Sequence, residues 1–195
     1  EFRKAHAIDC TIDEAFDIEN LFPFKGNIDL EKLENVYKTY PKEKIPFCLI
    51  TITCNSSGGQ PVSLENMKAV KELSDRYGIP IYFDSARFAE NAYFIKKREK
   101  GQQNRTIKEI CKEVFSYGVG MTMSSKKDGL VNIGGFIALN DENVFNIASN
   151  FTIIYEGFIT YGGMAGRDMA ALAVGLNEAT EFEYLESRIS QVEYL

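Results

Sequence analysis

The stretch IPIYFD, residues 79–84, decides the fold of this chain, because a short apolar strand pattern stops abruptly at a carboxylate. Similar apolar runs, which favour buried strands, occupy three other parts of the chain, at 45–54, 119–123 and 131–139. The last run is interrupted by two adjacent glycines. These four runs are the candidate strands of one sheet.

Helical patterns separate the strands. Ser63 can cap one helix that Gly78 terminates, and residues 106–109 have the spacing of a capping box. Asp141 can cap a short helix, and one long helical pattern runs from Arg167 onward. The alternation predicts an α/β fold, in which a mostly parallel mixed sheet is sandwiched by helices.

Bulk composition limits the partners. The chain has 195 residues, 45% of them apolar, which suits one domain with a sizeable core. Its net charge of -6 argues against a nucleic acid or an anionic membrane surface as partner.

No run approaches the roughly 18 uncharged apolar residues of a membrane span. Scattered cysteines and a single histidine make a poor zinc site, so we expect reduced thiols in a cytoplasmic protein.

Polar residues follow three of the predicted strands. They are Asn55, Asp84 and Ser124. Ligands of open α/β sheets gather outside the carboxyl ends of the strands, so we expect these three residues to meet at one edge.

The turn SSKKD, residues 124–128, adds a lysine to this edge. A lysine beside hydroxyls can form a Schiff base, and the Asp84 carboxylate can pair with a protonated pyridine nitrogen, which are the requirements of pyridoxal phosphate. Lys127 is the candidate lysine, because a neighbouring cation such as Lys126 and partial burial favour the uncharged amine. Arg87 and Asn55 are candidate contacts of the ring oxygen.

The phosphate of such a cofactor has candidate ligands in the same turn. Ser124, Ser125 and Lys126 offer hydroxyls, backbone donors and charge. Structural interpretations stay open beside these roles. The lysine turn can be merely solvated, Asp84 can be a helix N-cap, and Arg87 can be a salt-bridge residue. Residues 55–59 can be a plain turn.

Six segments, taken in order, match one known family. They are LFPFKGN (21–27), NSSGGQPVS (55–63), DSARFAENAYF (84–94), SSKKD (124–128), YEGF (155–158) and YGGMAGRD (161–168). They resemble the tryptophanase and tyrosine phenol-lyase family over essentially the whole chain. The resemblance implies the aspartate-aminotransferase type of fold (fold type I), with residues 1–195 as its large, cofactor-binding domain.

The same resemblance implies roles for particular residues. Lys127 becomes the Schiff-base lysine, Asp84 the partner of the pyridine nitrogen, and Arg87 and Asn55 the ring-oxygen contacts. Ser124 and Lys126 lie at the phosphate. The main-chain carbonyl of Asn132 helps to bind a potassium or ammonium ion.

The resemblance also implies a reaction, the β-elimination of an amino acid. Residues 84–91 are closer to tryptophanase, which favours cleavage of L-tryptophan to indole, pyruvate and ammonia, whereas residues 131–135 are closer to the phenol-lyase. Release of phenol from L-tyrosine, or of sulfide from cysteine, is the alternative. The intact enzyme is expected to be a homotetramer.

The chain is expected to be a piece of a larger protein. It begins without methionine and ends inside an amphipathic pattern at 189–195. Family members are more than twice this length, so an upstream segment and a C-terminal small domain would be missing. For the chain as given, a non-catalytic core fragment or an interaction module therefore remains an alternative.

Overall fold

The computed structural model describes residues 4–194, and four strands form its sheet. The strands are β1 (Cys48–Thr51), β2 (Ile81–Asp84), β3 (Gly120–Ser124) and β4 (Gly135–Leu139). They lie in the order β1-β2-β3-β4; the first three are parallel, and β4 runs antiparallel to β3. The predicted mostly parallel mixed sheet is confirmed.

Helices connect the strands and cover the sheet. They are α1 (Leu30–Thr39), α2 (Leu64–Tyr77), α3 (Phe88–Arg98), α4 (Ile107–Ser116), α5 (Glu142–Tyr155), α6 (Gly166–Glu178) and α7 (Phe182–Glu193). Between β1 and β2 the crossover is α2, and between β2 and β3 it is α3 with α4. A helical crossover returns the chain to the end of the sheet at which the previous strand began. Neighbouring strands joined in this way are therefore parallel.

Apolar side chains of the parallel strands and their helices form the core. In β2, Ile81 and Phe83 are almost completely buried, and the Phe83 ring meets Phe115 of α4 edge to face with centroids 5.9 Å apart. In β1, Ile50 has 1% of its surface exposed. This burial holds the carboxyl ends of β1, β2 and β3 in fixed relation to one another.

Several predicted helix ends are confirmed. Ser63 Oγ accepts from the backbone N–H of Asn66 at 3.1 Å, and Gly78 ends α2 in the left-handed region with φ 65°. Thr106 and Glu109 form the predicted capping box of α4.

Other predicted bounds were wrong. The run 45–54 forms only the four-residue β1, because β1 pairs with β2 only from Cys48 to Thr51. The run 131–139 becomes strand only from Gly135, since Gly134 has a φ of 96°. The helix capped by Asp141 has 14 residues and is not short. The long pattern after Arg167 is broken at 179–181 into α6 and α7.

One side of the fold is apolar and exposed. α5 contributes no buried residue, and 60% of Ile147 and 71% of Ile154 are exposed. Ile137 of β4, the strand that contacts α5, is half exposed. Large apolar side chains exposed together are typical of an interaction surface.

Candidate functional site

A cavity of about 210 Å³ lies where β1, β2 and β3 end. Five of the predicted site residues line it: Asn55, Asp84, Arg87, Ser124 and Lys127. The other lining residues are Thr51, Ile52, Thr53 and Ala86. The parallel strands bring these residues together although they are far apart in sequence. Thr51 and Lys127, for example, are separated by 76 positions in the chain.

Lys127 stands on the turn that leaves β3. Its Nζ donates a hydrogen bond to Ser124 Oγ at 3.0 Å, and its side chain is half-buried in the cavity wall. Lys127 and Asp84 therefore share one cleft. Pyridoxal phosphate would require this, because the amine that forms the imine and the acid that keeps the pyridine ring protonated must contact the same molecule.

Asp84 is the last residue of β2 and is held from both sides. It pairs with Thr51 of β1 and Thr122 of β3, and its backbone carbonyl accepts from Ile52 N at 2.8 Å. Because β2 cannot shift without breaking two ladders, the backbone of Asp84 has a defined position at the carboxyl end of the sheet.

The alternative that Asp84 caps a helix is wrong. α3 begins at Phe88, its N-cap residue is Arg87, and the cap is supplied from a distant part of the chain. Asp128 Oδ2 accepts from Ala89 N at 2.7 Å and from Glu90 N at 3.2 Å. The Asp84 side chain is thus not used to begin the helix.

Arg87 lines the cavity and also faces an acid. Its Nε lies 3.9 Å from Glu90 Oε2, while the other carboxylate oxygen of Glu90 is 2.9 Å from an Arg188 guanidinium nitrogen on α7. The ion-pair interpretation of Arg87 is therefore compatible with a place at the cavity.

Asp128, next to the lysine, is buried with 3% of its surface exposed. Burial, assisted by the nearby charge of Glu90, raises the pKa of Asp128 to about 7. Its two hydrogen bonds from backbone N–H groups and the Arg188 charge act in the opposite direction, but burial outweighs them. No role was predicted for Asp128, although its position directly after Lys127 was a signal.

Thr53 is a second residue that the sequence analysis missed. It lines the cavity, has 2% of its surface exposed, and its Oγ1 has no hydrogen-bond partner within the described residues. A buried hydroxyl without a partner is costly unless something else satisfies it. Its position two residues before Asn55 was the available signal.

Three predicted residues do not line this cavity: Ser125, Lys126 and Asn132. Lys126 is exposed on the same turn, and Asn132 is exposed before β4; neither lines the cavity. Ser125 is fully buried, and within the described part of the chain its Oγ lacks a partner. The phosphate roles of Lys126 and Ser125 and the cation role of Asn132 stay predictions.

The donor set fits pyridoxal phosphate. Lys127 offers an amine, Asp84 an acid for a ring nitrogen, and Arg87 and Asn55 offer donors for a ring oxygen. The unsatisfied hydroxyl of Thr53 adds a donor that a polar group in the cavity would satisfy.

A larger cavity of about 870 Å³ adjoins the first and shares Asp84 and Ser124 with it. It lies between the β3–β4 ribbon, α5 and the start of α6. Its apolar lining includes Phe136, Phe145 and Phe158. Apolar, concave space beside a few polar groups is typical of ligand sites.

The cysteines do not contribute to either cavity, and all four are free. Burial raises the pKa of the Cys48 thiol to about 11 and that of the Cys111 thiol to about 12. Within residues 4–194 no three His, Cys, Asp or Glu side chains group to hold a metal ion. In the same range no helix has the length and apolar character to cross a membrane.

Comparison with known sequences places the chain among lyases. The sequence model of the family described as "Beta-eliminating lyase" matches residues 1–195. A Trichomonas vaginalis protein named "Probable beta-eliminating lyase" is 62% identical over 195 residues, which are 100% of this chain and 42% of that protein. A tyrosine phenol-lyase from Clostridium tetani is 51% identical over 96% of this chain and 41% of its own length. A tryptophanase from Salinibacter ruber is 50% identical over 100% and 41%, respectively.

Solved structures agree on the fold. A crystal structure from Listeria monocytogenes, described as a "putative L-allo-threonine aldolase", superposes with a TM-score of 0.59 and 18% identity. The match covers 82% of this chain and 38% of that one. The similarity confirms the predicted fold class, and the chain spans about two-fifths of the length of the curated relatives it matches.

Proposed function

The chain belongs to the β-eliminating lyase family, and we propose that its cavity at the ends of β1–β3 binds pyridoxal phosphate for β-elimination of an amino acid. One observation supports this above all others: Lys127 and Asp84 line the same cavity. An amine and an acid at one sheet edge are what this cofactor requires of a protein. Residues 1–195 are accordingly proposed as a large cofactor domain of the fold type I kind.

The residues of the cavity have complementary roles in this proposal. When bound, pyridoxal phosphate supplies an electron sink for negative charge at the substrate α-carbon. Asp84 keeps the ring nitrogen protonated, and Arg87 and Asn55 donate to the ring oxygen. Ser124, Ser125 and Lys126 are proposed to bind the phosphate.

Lys127 has two tasks. Its amine would hold the cofactor, and when free that amine would act as the general base for the proton on the substrate α-carbon. Ser124 Oγ, 3.0 Å from Nζ, orients that amine.

The proposed substrate is L-tryptophan, which would yield indole, pyruvate and ammonia. The large apolar cavity beside Asp84 supports an aromatic side chain. Relatives named tyrosine phenol-lyase and tryptophanase are about equally similar, at 51% and 50% identity, so L-tyrosine is the second candidate. Cysteine, releasing sulfide, is the third.

Further properties of the whole protein are proposed with the activity. They are a potassium or ammonium ion at the Asn132 carbonyl, a cytoplasmic location and a homotetrameric assembly. The exposed apolar surface of α5 supports self-association. Light scattering measures the assembly, and a monomer at all concentrations would contradict it.

Cofactor binding is tested on the chain by adding pyridoxal phosphate, removing the unbound cofactor and recording absorbance near the short-wavelength end of the visible spectrum. We expect a band that Lys127→Ala abolishes and that Lys112→Ala, which removes an exposed lysine of α4, leaves intact. Absence of the band in the parent chain would favour the alternative of a non-catalytic core fragment.

Substrate choice is tested on the natural full-length protein with L-tryptophan, L-tyrosine and L-cysteine in parallel. Indole release supports the first candidate. Phenol without indole would transfer the assignment to the tyrosine enzyme, and sulfide alone would transfer it to a cysteine lyase.

A further inference from the structure

The turn that bears Lys127 is tied to another part of the site by its next residue. Asp128 Oδ2 accepts from the backbone N–H groups of Ala89 and Glu90, at 2.7 and 3.2 Å. The backbone N–H of Asp128 in turn donates to the carbonyl of Ala86 at 3.3 Å. Side chain and main chain of one residue thus bridge the β3–β4 turn and the start of α3.

The segment at the other end of this bridge bears two cavity residues. Asp84 ends β2, and Arg87 is the N-cap residue of α3. Asp128 therefore joins the part of the chain that presents the amine to the part that presents the acid and the guanidinium. The three hydrogen bonds leave the turn little freedom to move relative to Asp84.

The capping acceptor of α3 comes entirely from a distant part of the chain. At the start of α2 the distant Glu99 also accepts from the N–H groups of Leu64 and Glu65, at 2.7 and 2.9 Å, but Ser63 supplies a local cap there as well. Four helices are capped by the side chain of their own N-cap residue: Asp29 for α1, Ser63 for α2, Thr106 for α4 and Asp141 for α5. In α3 the N-cap residue is Arg87, and the acceptor is Asp128, 39 positions after the donor Ala89. A local cap would satisfy the same N–H groups without connecting two parts of the site.

The burial of Asp128 is a second unusual feature. A carboxyl group with 3% of its surface exposed is costly to bury, even at a helix N-terminus where the dipole favours it. At the surface, a cap of the kind that Asp29 provides would avoid that cost. The bridge to the lysine turn gives a reason for the buried position.

We propose that Asp128 is a positioning residue, which holds the lysine turn on the start of α3 and so sets the placement of the Lys127 amine relative to Asp84. The inference rests on the proposed binding of pyridoxal phosphate at Lys127. Asp128 acts through the backbone and does not line the cavity itself.

The test compares three variants of the natural full-length protein loaded with pyridoxal phosphate. Asp128→Ala removes the acceptor, and Asp128→Asn keeps an oxygen at the same place without the charge. Asp29→Ala is the matched control, because Asp29 Oδ1 accepts from two backbone N–H groups at 2.9 and 3.0 Å at the start of α1. Asp29 is not among the residues that line the cavity.

Two readouts report on the amine. Borohydride reduction followed by peptide mass spectrometry gives the fraction of Lys127 attached to the cofactor, and a pH titration of the absorbance band gives its midpoint. We expect Asp128→Ala to lower the fraction of Lys127 that is attached shortly after mixing by about tenfold and to shift the midpoint, because the buried N–H of Ala89 and the half-buried N–H of Glu90 lose their acceptor. Asp128→Asn restores both readouts, and Asp29→Ala lowers the melting temperature only.

Each other outcome is decisive. Attachment and midpoint unchanged in Asp128→Ala would overturn the inference, as would equal changes in Asp29→Ala, which would reveal a general loss of stability. If Asp128→Ala does not fold, Asp128→Ser, whose side chain is too short for the bridge, takes its place under the same criteria. Failure of the parent protein to attach cofactor at Lys127 would instead remove the proposed function.

Discussion

Lys127 Nζ and Ser124 Oγ lie 3.0 Å apart, joined by a hydrogen bond across the turn that follows β3. The bond directs the lysine into the cavity that Asp84 also lines. The strand end and the turn together therefore present an amine of restricted orientation to the carboxyl edge of the sheet.

Ser124→Ala removes the acceptor of the Lys127 amine. We expect cofactor attachment to slow by about three- to tenfold, the equivalent of one ordinary hydrogen bond. Stopped-flow absorbance on mixing with pyridoxal phosphate measures the rate. Ser74→Ala is the control, since it removes a buried hydroxyl that bonds to Tyr37 at 2.9 Å, remote from the cavity. Equal rates in parent and Ser124→Ala would show that the bond does not orient the amine.

Thr53→Val is expected to have opposite effects with and without cofactor. Without it, the variant gains on the order of 1 kcal/mol in the free energy of unfolding, because a buried hydroxyl without a partner is replaced by a methyl group. With pyridoxal phosphate, the variant loses affinity, because the cavity loses a donor. Thermal melts in both conditions check the reversal. A variant that is destabilised in the absence of cofactor would contradict the assignment of that hydroxyl as unsatisfied.

Asp128 makes stability depend on pH. Its pKa is about 7 in the folded chain and about 3.9 when unfolded, so the folded state binds more protons between these values. The contribution of this group is fully present below about pH 4 and is lost as the pH rises toward 7.

The comparison with Asp128→Asn isolates that contribution. The free energy of unfolding of the parent, relative to this variant, should fall by on the order of 1–3 kcal/mol between pH 4.5 and 7.5. The fall is expected because the pKa of Asp128 is higher in the folded than in the unfolded chain. Urea unfolding at each pH measures the difference. The surrounding charged or titratable groups, Glu90, Arg188 and Cys111, are present in both proteins. A difference that is constant with pH, or that rises, would refute a raised pKa.

Gly175 of α6 packs directly on the lysine turn. A Cβ at this position would overlap the carbonyl oxygen of Gly129, so Gly175→Ala forces α6 away from the turn. We expect a loss of about 1–3 kcal/mol in the free energy of unfolding. In Gly166→Ala, at the start of the same helix, the added Cβ meets no atom of residues 4–194 within 4 Å apart from its own helix backbone, so the variant should be neutral or slightly stabilising. Equal melting temperatures for the two variants would show that α6 does not pack closely on the turn.

Much of the fold was predictable from local patterns. Strand runs rich in apolar residues, the cap at Ser63 and the capping box at Thr106 depend on neighbours in sequence, and the structure has them. The lengths of β1 and β4 were less predictable. A strand extends only as far as its partner, and partners are distant in sequence.

Sequence alone determined which chemistry the site offers: a lysine, an acid, an arginine and an amide, each placed after a predicted strand. Parallel pairing implied that they would meet, because the carboxyl ends of parallel strands share one edge. Only the tertiary structure decided which groups support them. The acceptor at the start of α3 is Asp128, the guanidinium of Arg87 faces Glu90, and the Thr53 hydroxyl has no hydrogen-bond partner among residues 4–194. These relationships depend on burial and on contacts between residues far apart in the chain, and neither is encoded in a local pattern.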